Sequence, residues 1–398
     1  MNDKTHFRGL PRAFWVLLFG YFVNRAGGFI APFLTLSVTN ERHIPLERAG
    51  LIVSMVGFGG LGAGPVGGVL ADRLGRRPAL VIATTCGAGA MFALGLTRAP
   101  EALAIGALTV GFFGEMFRPA AMAIVADIVP PEEQARAFGL IYWAANLGFA
   151  IAPMVAGFVA AKSYALLFLG DGLTTLAFGA IVVANVPETR PTRREAHLRL
   201  TDMLTPYRNG PFFRFAFCSF LIGVMFHQIG TTLPLDLQAH GIPATTYGAL
   251  LSINGILITL LQPFTSLYTR RASRRWVLTV SAAVVGVGFG INAVAAGAVP
   301  VYAFSIVVWT MGEIGMAGLS PTIVADLAPA HLRGSFQGAF QLAFGAAAGL
   351  APLVGTWTLV HFGSAVFWQG CVLCGLLAAA GYAAVVPERN AAVAPSPE

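Results

Sequence analysis

The chain has 398 residues, with 25 Lys or Arg against 18 Asp or Glu, and only 11% of it is charged where soluble domains run at about a quarter. With 56% apolar residues, this composition excludes an ordinary soluble enzyme and a disordered chain. The net charge of +7 sits in short Arg clusters between long apolar runs, a pattern that orients a membrane protein rather than one that binds nucleic acid.

A helix needs about 20 largely apolar residues to cross a bilayer. In chain order, twelve stretches qualify: 13–39, 46–71, 78–97, 100–128, 135–160, 163–186, 211–239, 244–270, 275–297, 300–328, 333–361 and 363–386. The expected fold class is an all-α integral membrane protein of twelve transmembrane helices in two pseudo-symmetric six-helix bundles. Spans 11 and 12 share one run without Asp, Glu, Lys or Arg, and His361-Phe362-Gly363-Ser364 is the turn-like break between them. The longest polar stretch carries Pro187, Pro191 and Pro206, which sets the expected domains at 1–186, 187–210 and 211–398. Within that linker, 193–204 reads either as a helix on the inner leaflet or as a solvated connection. Counted by alternate loops, 19 Lys or Arg fall on one side and 4 on the other, which places both termini in the cytoplasm and the chain in the cell (inner) membrane. Cys371 and Cys374 have CxxC spacing but no second pair and no polar context, so they read as small apolar helix residues.

Few ionisable groups fall deep inside spans. Arg25 lies in span 1, Glu115 and Arg118 lie three apart and so on one face of span 4, and Glu313 lies in span 10. Each costs about 2.5–3.5 kcal/mol at a helix centre unless it meets a partner or a wet cavity. Glu115 is expected to pair with Arg118 or with Arg25. The span that holds Glu313 has no Lys or Arg, which makes Glu313 the first candidate for a proton carrier and Glu115 the second. His227, Asn24, Trp309, Gln341, Asn254 and Tyr142 are candidate lining groups. Asp171 and Asp236 lie near span ends and read as interfacial, with Asp236 a candidate for an outer gate.

The two halves repeat. Gly114-Glu115 followed by Ile124-Val125-Ala126-Asp127 recurs as Gly312-Glu313 followed by Ile323-Val324-Ala325-Asp326, and Pro153 recurs as Pro352. Parallel repeats of six helices are a transporter architecture, with a binding site near the midplane.

Span 2 ends in Gly68-Val69-Leu70-Ala71-Asp72-Arg73-Leu74-Gly75-Arg76-Arg77. This stretch resembles, almost letter for letter, the signature loop of the major facilitator superfamily. The resemblance implies a cytoplasmic latch of Gly68, Asp72, Gly75, Arg76, Arg77 and Asp127, in which Asp72 and Arg76 or Arg77 bond with Asp127. In the second copy, Leu267 to Arg275, Arg270 stands where Asp72 does and Ser273 replaces Gly75, so a latch to Asp326 is expected to be less complete. Gly148, Ala152, Pro153, Ala156 and Gly157 in span 5 resemble the small-residue motif of the family's proton-coupled exporters, with Ala at two Gly positions. The resemblance also implies that spans 1, 4, 7 and 10 line a central cavity, and every deep charge falls on one of them.

These features point to a secondary active transporter similar to the twelve-helix drug/proton antiporters, exporting small amphipathic or drug-like molecules by alternating access. The alternative is a proton-coupled importer or facilitator of a small metabolite such as a sugar. No metal cluster, nucleotide loop or Ser/His/Asp constellation points to an enzyme, and the expectation is a monomer with no cofactor and the proton as coupling ion.

Overall fold

The computed structural model describes residues 6–7, 9–189, 205–269, 272–329 and 332–386. The 193–204 stretch, read as surface helix or solvated linker, lies outside the described residues. A short hairpin of β1 (His6–Phe7) and β2 (Leu10–Pro11) precedes the helices. The first half holds α1 (Arg12–Ala26), α2 (Ile30–Leu36), α3 (Leu46–Leu74), α4 (Arg76–Leu96), α5 (Pro100–Ile128), α6 (Pro131–Ala160) and α7 (Ala165–Asn185). The second holds α8 (Gly210–His227), α9 (Thr232–Ala239), α10 (Ala244–Thr269), α11 (Arg274–Gly290), α12 (Val299–Ala317), α13 (Ser320–Leu327) and α14 (Arg333–Val385).

Among the described residues, 11 helical stretches are long and apolar enough to cross a membrane. The last has 53 residues, about 80 Å of helix at 1.5 Å per residue, and a bilayer core is about 30 Å thick. It is two helices joined at Gly363, whose φ of 81° and ψ of 171° are not helical. Only glycine adopts that conformation readily. The result accords with the twelve spans read from the sequence.

Among the described residues, three spans are broken. Span 1 stops at Ala26 and restarts at Ile30, across Gly27-Gly28-Phe29. Span 7 stops at His227, makes a 3-10 turn over Gln228–Gly230 and restarts at Thr232. Span 10 breaks at Gly318-Leu319, before Pro321. Backbone groups freed at such breaks must find partners inside the protein, since lipid offers none.

Contacts divide the chain into two compact units. The first takes α1 to α7 together with Ile242–Gly255, the start of α10; the second takes α8, α9 and the chain from Ile256 onward. Small residues explain why the start of α10 belongs with the first. A Cβ on Gly157 would lie 2.8 Å from the Ala244 carbonyl oxygen, and one on Gly248 would lie 3.0 Å from the Pro153 carbonyl carbon. Tyr247, 1% exposed, donates its hydroxyl to the Pro32 carbonyl at 2.9 Å and sits edge-on to Phe33. The first unit's core is aromatic and small: Phe14, Leu17, Tyr21, Phe117 and Phe178 pack with Ala63, Ala83 and Ala120. The second unit stacks Phe289 on Trp309 and Trp368, and Phe215 on Phe340.

Candidate functional site

At the arginine-rich end of the first unit, the signature residues form one polar network. Gly75, at φ 112°, turns the chain from α3 into α4. Arg76 then lies one turn from Asp72 and forms an ion pair with it. The same guanidinium reaches Asp127 at the end of α5, with Nε to Oδ2 at 3.5 Å. Thr189 donates its hydroxyl to that Asp127 oxygen at 2.8 Å. Arg77 turns the other way and donates to the Val183 carbonyl of α7. Gly68 has open space where a Cβ would be.

A member of this network was not singled out in the sequence. Glu188 follows α7 and accepts the backbone N–H of Arg76 at 2.8 Å and of Arg77 at 3.2 Å. It therefore caps the N-terminus of α4, where the first N–H groups have no helical partner and the helix dipole favours an anion. A Cβ on Gly75 would lie 2.8 Å from the Glu188 carboxyl carbon, so the glycine serves both the turn and the cap. A Glu just beyond a Pro-flanked helix end was the one available signal. In the second unit, Arg274 pairs with Asp326 at 2.7 Å. Arg270 and Arg271 lie outside the described residues.

Within the spans, Arg118 pairs with Glu115 at 2.8 Å, and the two side chains are 52% and 44% exposed. Arg118 also lies within hydrogen-bonding reach of the Tyr21 hydroxyl. Arg25 is half-buried, with its guanidinium 5.2 Å from the ring centres of both Tyr21 and Phe117. Such stacking partly compensates a desolvated cation. Of the two partners expected for Glu115, Arg118 forms the ion pair described. Glu313 is half-buried on α12, in the second unit.

The lining candidates divide. Tyr142, Gln341 and His227 are exposed. Asn24, Trp309 and Asn254 are 7%, 1% and 3% exposed and belong to helix packing rather than to an open surface. Asn24 spends its amide on Thr175 Oγ1 at 3.0 Å. The neighbour of His227, Gln228, is 1% exposed and pins the span 7 break: its Nε2 donates to the Ala351 carbonyl at 2.9 Å and its Oε1 accepts from Thr232 at 2.6 Å.

The interfacial reading of the two aspartates is corrected. Asp171 is 6% exposed and accepts the Ile30 N–H at 3.0 Å. Asp236 is 1% exposed and receives Tyr302, Ser364 and Trp368. Hydropathy placed both near span ends, but packing of neighbouring helices turned them inward. On α6, the small-residue motif makes close contacts: a Cβ on Gly148 would lie 2.6 Å from that of Arg25, and Gly157 abuts Ala244. Ala152 and Ala156 are buried, and Pro153 lies against Gly248.

Comparisons with known proteins agree with this architecture. The chain is 28% identical over 364 residues to the uncharacterized MFS-type transporter YttB of Bacillus subtilis, covering 89% of this chain and 90% of the relative. It is 24% identical to a Na(+), Li(+), K(+)/H(+) antiporter of Planococcus maritimus, over 88% of this chain and 92% of that one. Multidrug resistance protein 1 of B. subtilis is 28% identical over 45% of this chain and 47% of its own. A crystal structure of the peptide transporter POT superposes with a TM-score of 0.82 at 16% identity, covering 96% of each chain, which shows a shared fold. The Major Facilitator Superfamily profile matches residues 17–235 and 215–398, once for each repeat. A multi-pass helical chain with the Asp72–Arg76–Asp127 network and a family match along nearly all its length belongs to the Major Facilitator Superfamily of membrane transporters.

Proposed function

We propose that this transporter exports small amphipathic or drug-like molecules in exchange for protons, by alternating access, with both termini in the cytoplasm of a bacterial cell membrane. The observation that carries the reading is the Glu115–Arg118 pair, half-exposed near the middle of a long apolar helix. Lipid does not tolerate two exposed charges at that depth, so their exposure supports a wet pathway. Glu313 occupies the repeat-related position, and its carboxyl is the first candidate to take the proton, with Glu115 second. Arg118 and Arg25 supply the positive charge that a released proton or a bound substrate would rebalance. The Asp72–Arg76–Asp127 network supplies a discrete packing that can make and break as the cytoplasmic side closes and opens. The full-length cation/proton antiporter relative supports proton exchange, and the multidrug relative supports the substrate class.

The test is flux in proteoliposomes with an imposed pH gradient, with a cationic dye as the transported probe and proton movement read together. Glu115→Gln with Glu313→Gln is expected to abolish gradient-driven dye flux while leaving dye exchange without a gradient. Unchanged gradient-driven flux in the double variant refutes the coupling, and proton-driven accumulation in the cytoplasmic sense makes the protein an importer.

A further inference from the structure

The break in span 1 is built around one carboxylate that the latch and the Glu115–Arg118 pair do not use. Asp171 lies on α7, 6% exposed, and accepts the N–H of Ile30, the first residue of α2, at 3.0 Å. Its neighbours on α7 hold the same break. Thr174 presses against Gly27, where any Cβ would collide with its side chain. Gly170 admits the Phe29 ring, which would lie 2.9 Å from a Cβ there. Thr175 receives the Asn24 amide at 3.0 Å. Four residues within six on α7 thus clamp residues 24–30, and only one of them is ionisable.

We propose that Asp171 is a further proton-binding residue, and that its charge decides whether the second half of span 1 stays docked at the break. Ionised, the carboxylate makes a charge-assisted bond to the Ile30 N–H and answers the dipole of the helix that follows. Protonated, it is a neutral acceptor and the bond weakens. A buried carboxylate is costly to keep charged without nearby compensation. That compensation comes first from the Ile30 N–H and then from Arg25 of α1, the charged side chain that acts on Asp171. Arg25 has its Nε buried without a hydrogen-bond partner. Among the described residues, no charged side chain from the other packed helices acts on Asp171 besides Arg25. In sequence, α2 has no ionisable residue; α6 carries Glu132, Glu133 and Arg136 in its first two turns and, after Tyr142, none. Toward this face, α4 brings the Phe92 ring, against Gly172, and the Met91 sulfur, at 3.9 Å from Thr175.

The step is a simple acid–base one. A proton from solution adds to the Asp171 carboxylate, the negative charge is lost, and Arg25 is left without that counter-charge. Because Arg25 is also one of the cations assigned to the transport site, protonation at the break reaches the site through it. The role in transport therefore rests on the proton-exchange reading above, while the chemistry of the break does not.

Hydrogen–deuterium exchange of the full chain in lipid nanodiscs tests both separately. Protection of the peptide covering 28–36, corrected for intrinsic exchange, is followed across a range of pH. In the wild type it is expected to fall on acidification by roughly five- to tenfold, the difference between a charged and a neutral acceptor. In Asp171→Asn, whose amide oxygen still accepts the Ile30 N–H, protection is expected to be flat, and Asp171→Glu is expected to restore the response. Flat protection in the wild type, or the same fall in Asp171→Asn, overturns the proposal. Glu115→Gln with Glu313→Gln is expected to keep the response at 28–36. If that double variant also transports normally, the proton-exchange reading fails while the Asp171 site stands.

Discussion

Asp236 offers a direct test of how this chain holds polar groups inside its second unit. The carboxylate is 1% exposed and receives Tyr302 O–H at 2.8 Å and Trp368 Nε1–H at 3.1 Å on Oδ2, and Ser364 O–H at 2.5 Å on Oδ1. It thereby ties α9 to α12 and to the second helix of α14. Asp236→Ala removes the acceptor but leaves the donors. Tyr302 and Trp368 are both 0% exposed and have no water to turn to, whereas Ser364 is only partly buried. Each orphaned buried donor costs about 1–3 kcal/mol. Removing a buried charge offsets part of that, since its desolvation is no longer imposed. The balance is about 2–4 kcal/mol. Asp236→Asn behaves differently. Its amide oxygen stands where Oδ2 does and keeps Tyr302 and Trp368, and its nitrogen donates to the Ser364 hydroxyl. What is lost is the difference between a charged and a neutral acceptor, about 1 kcal/mol.

For a unit of this size, each kcal/mol moves the melting temperature by about 2–4 °C. Asp236→Ala is therefore expected to lower it by roughly 5–15 °C, and Asp236→Asn by roughly 2–4 °C. The assay is loss of the monodisperse peak on size-exclusion chromatography after heating in detergent, at one fixed heating rate because a midpoint set by irreversible loss depends on that rate. If the Asn variant is as damaged as the Ala variant, acceptor geometry is not what holds the site and the reasoning is wrong. If both are near wild type, the buried donors have other partners.

Two further outcomes follow from the first unit. Asp127→Asn weakens both the 3.5 Å pair to Arg76 and the Thr189 bond, a loss of about 1–2 kcal/mol in one packing only; turnover in vesicles is expected to fall about tenfold with substrate affinity unchanged, and a matching loss of affinity would contradict a switching role. Gly157→Leu places a branched side chain where even a Cβ sits 2.8 Å from the Ala244 oxygen. It is expected to cost about 1–3 kcal/mol of thermal stability, whereas Ala156→Gly, at a buried position of the same motif, is expected to cost less than half as much.

The parts of this fold legible in the sequence are those set by the bilayer itself. Apolar runs and the Gly363 break come through because each depends on a local rule, length or backbone freedom, whereas the Asp72–Arg76–Asp127 network comes through only by resemblance to the family's signature loop. Glu188 did not come through, although it touches the same network, because its partners Arg76 and Arg77 are more than a hundred residues away. The polar residues inside apolar runs were harder still. Asn24, Gln228, Asp171 and Asp236 look in sequence like Tyr142 or Gln341, a polar side chain in a helix. Which of them faces a neighbouring helix depends on how each helix is rotated about its axis, and that depends on close approaches at distant small residues, such as Gly148 against Arg25 and Gly355 against Gln228 and Thr232.

The two halves also show what duplication preserves and what it lets change. Span 1 breaks at Gly27–Phe29 and span 7 at Gln228–Thr231, about one repeat apart. Both breaks leave backbone groups that lipid cannot satisfy, so both need a buried polar pin. In the second unit the pin is Gln228 itself, an amide that donates to Ala351 and accepts from Thr232. In the first the pin is Asp171, reaching across from another helix to Ile30. An amide holds its bonds at any pH, while a carboxylate holds them according to its charge. On the Asp171 proposal, the repeated architecture carries a pin indifferent to protons in one half and one sensitive to them in the other, and the exchange experiment on 28–36 decides it.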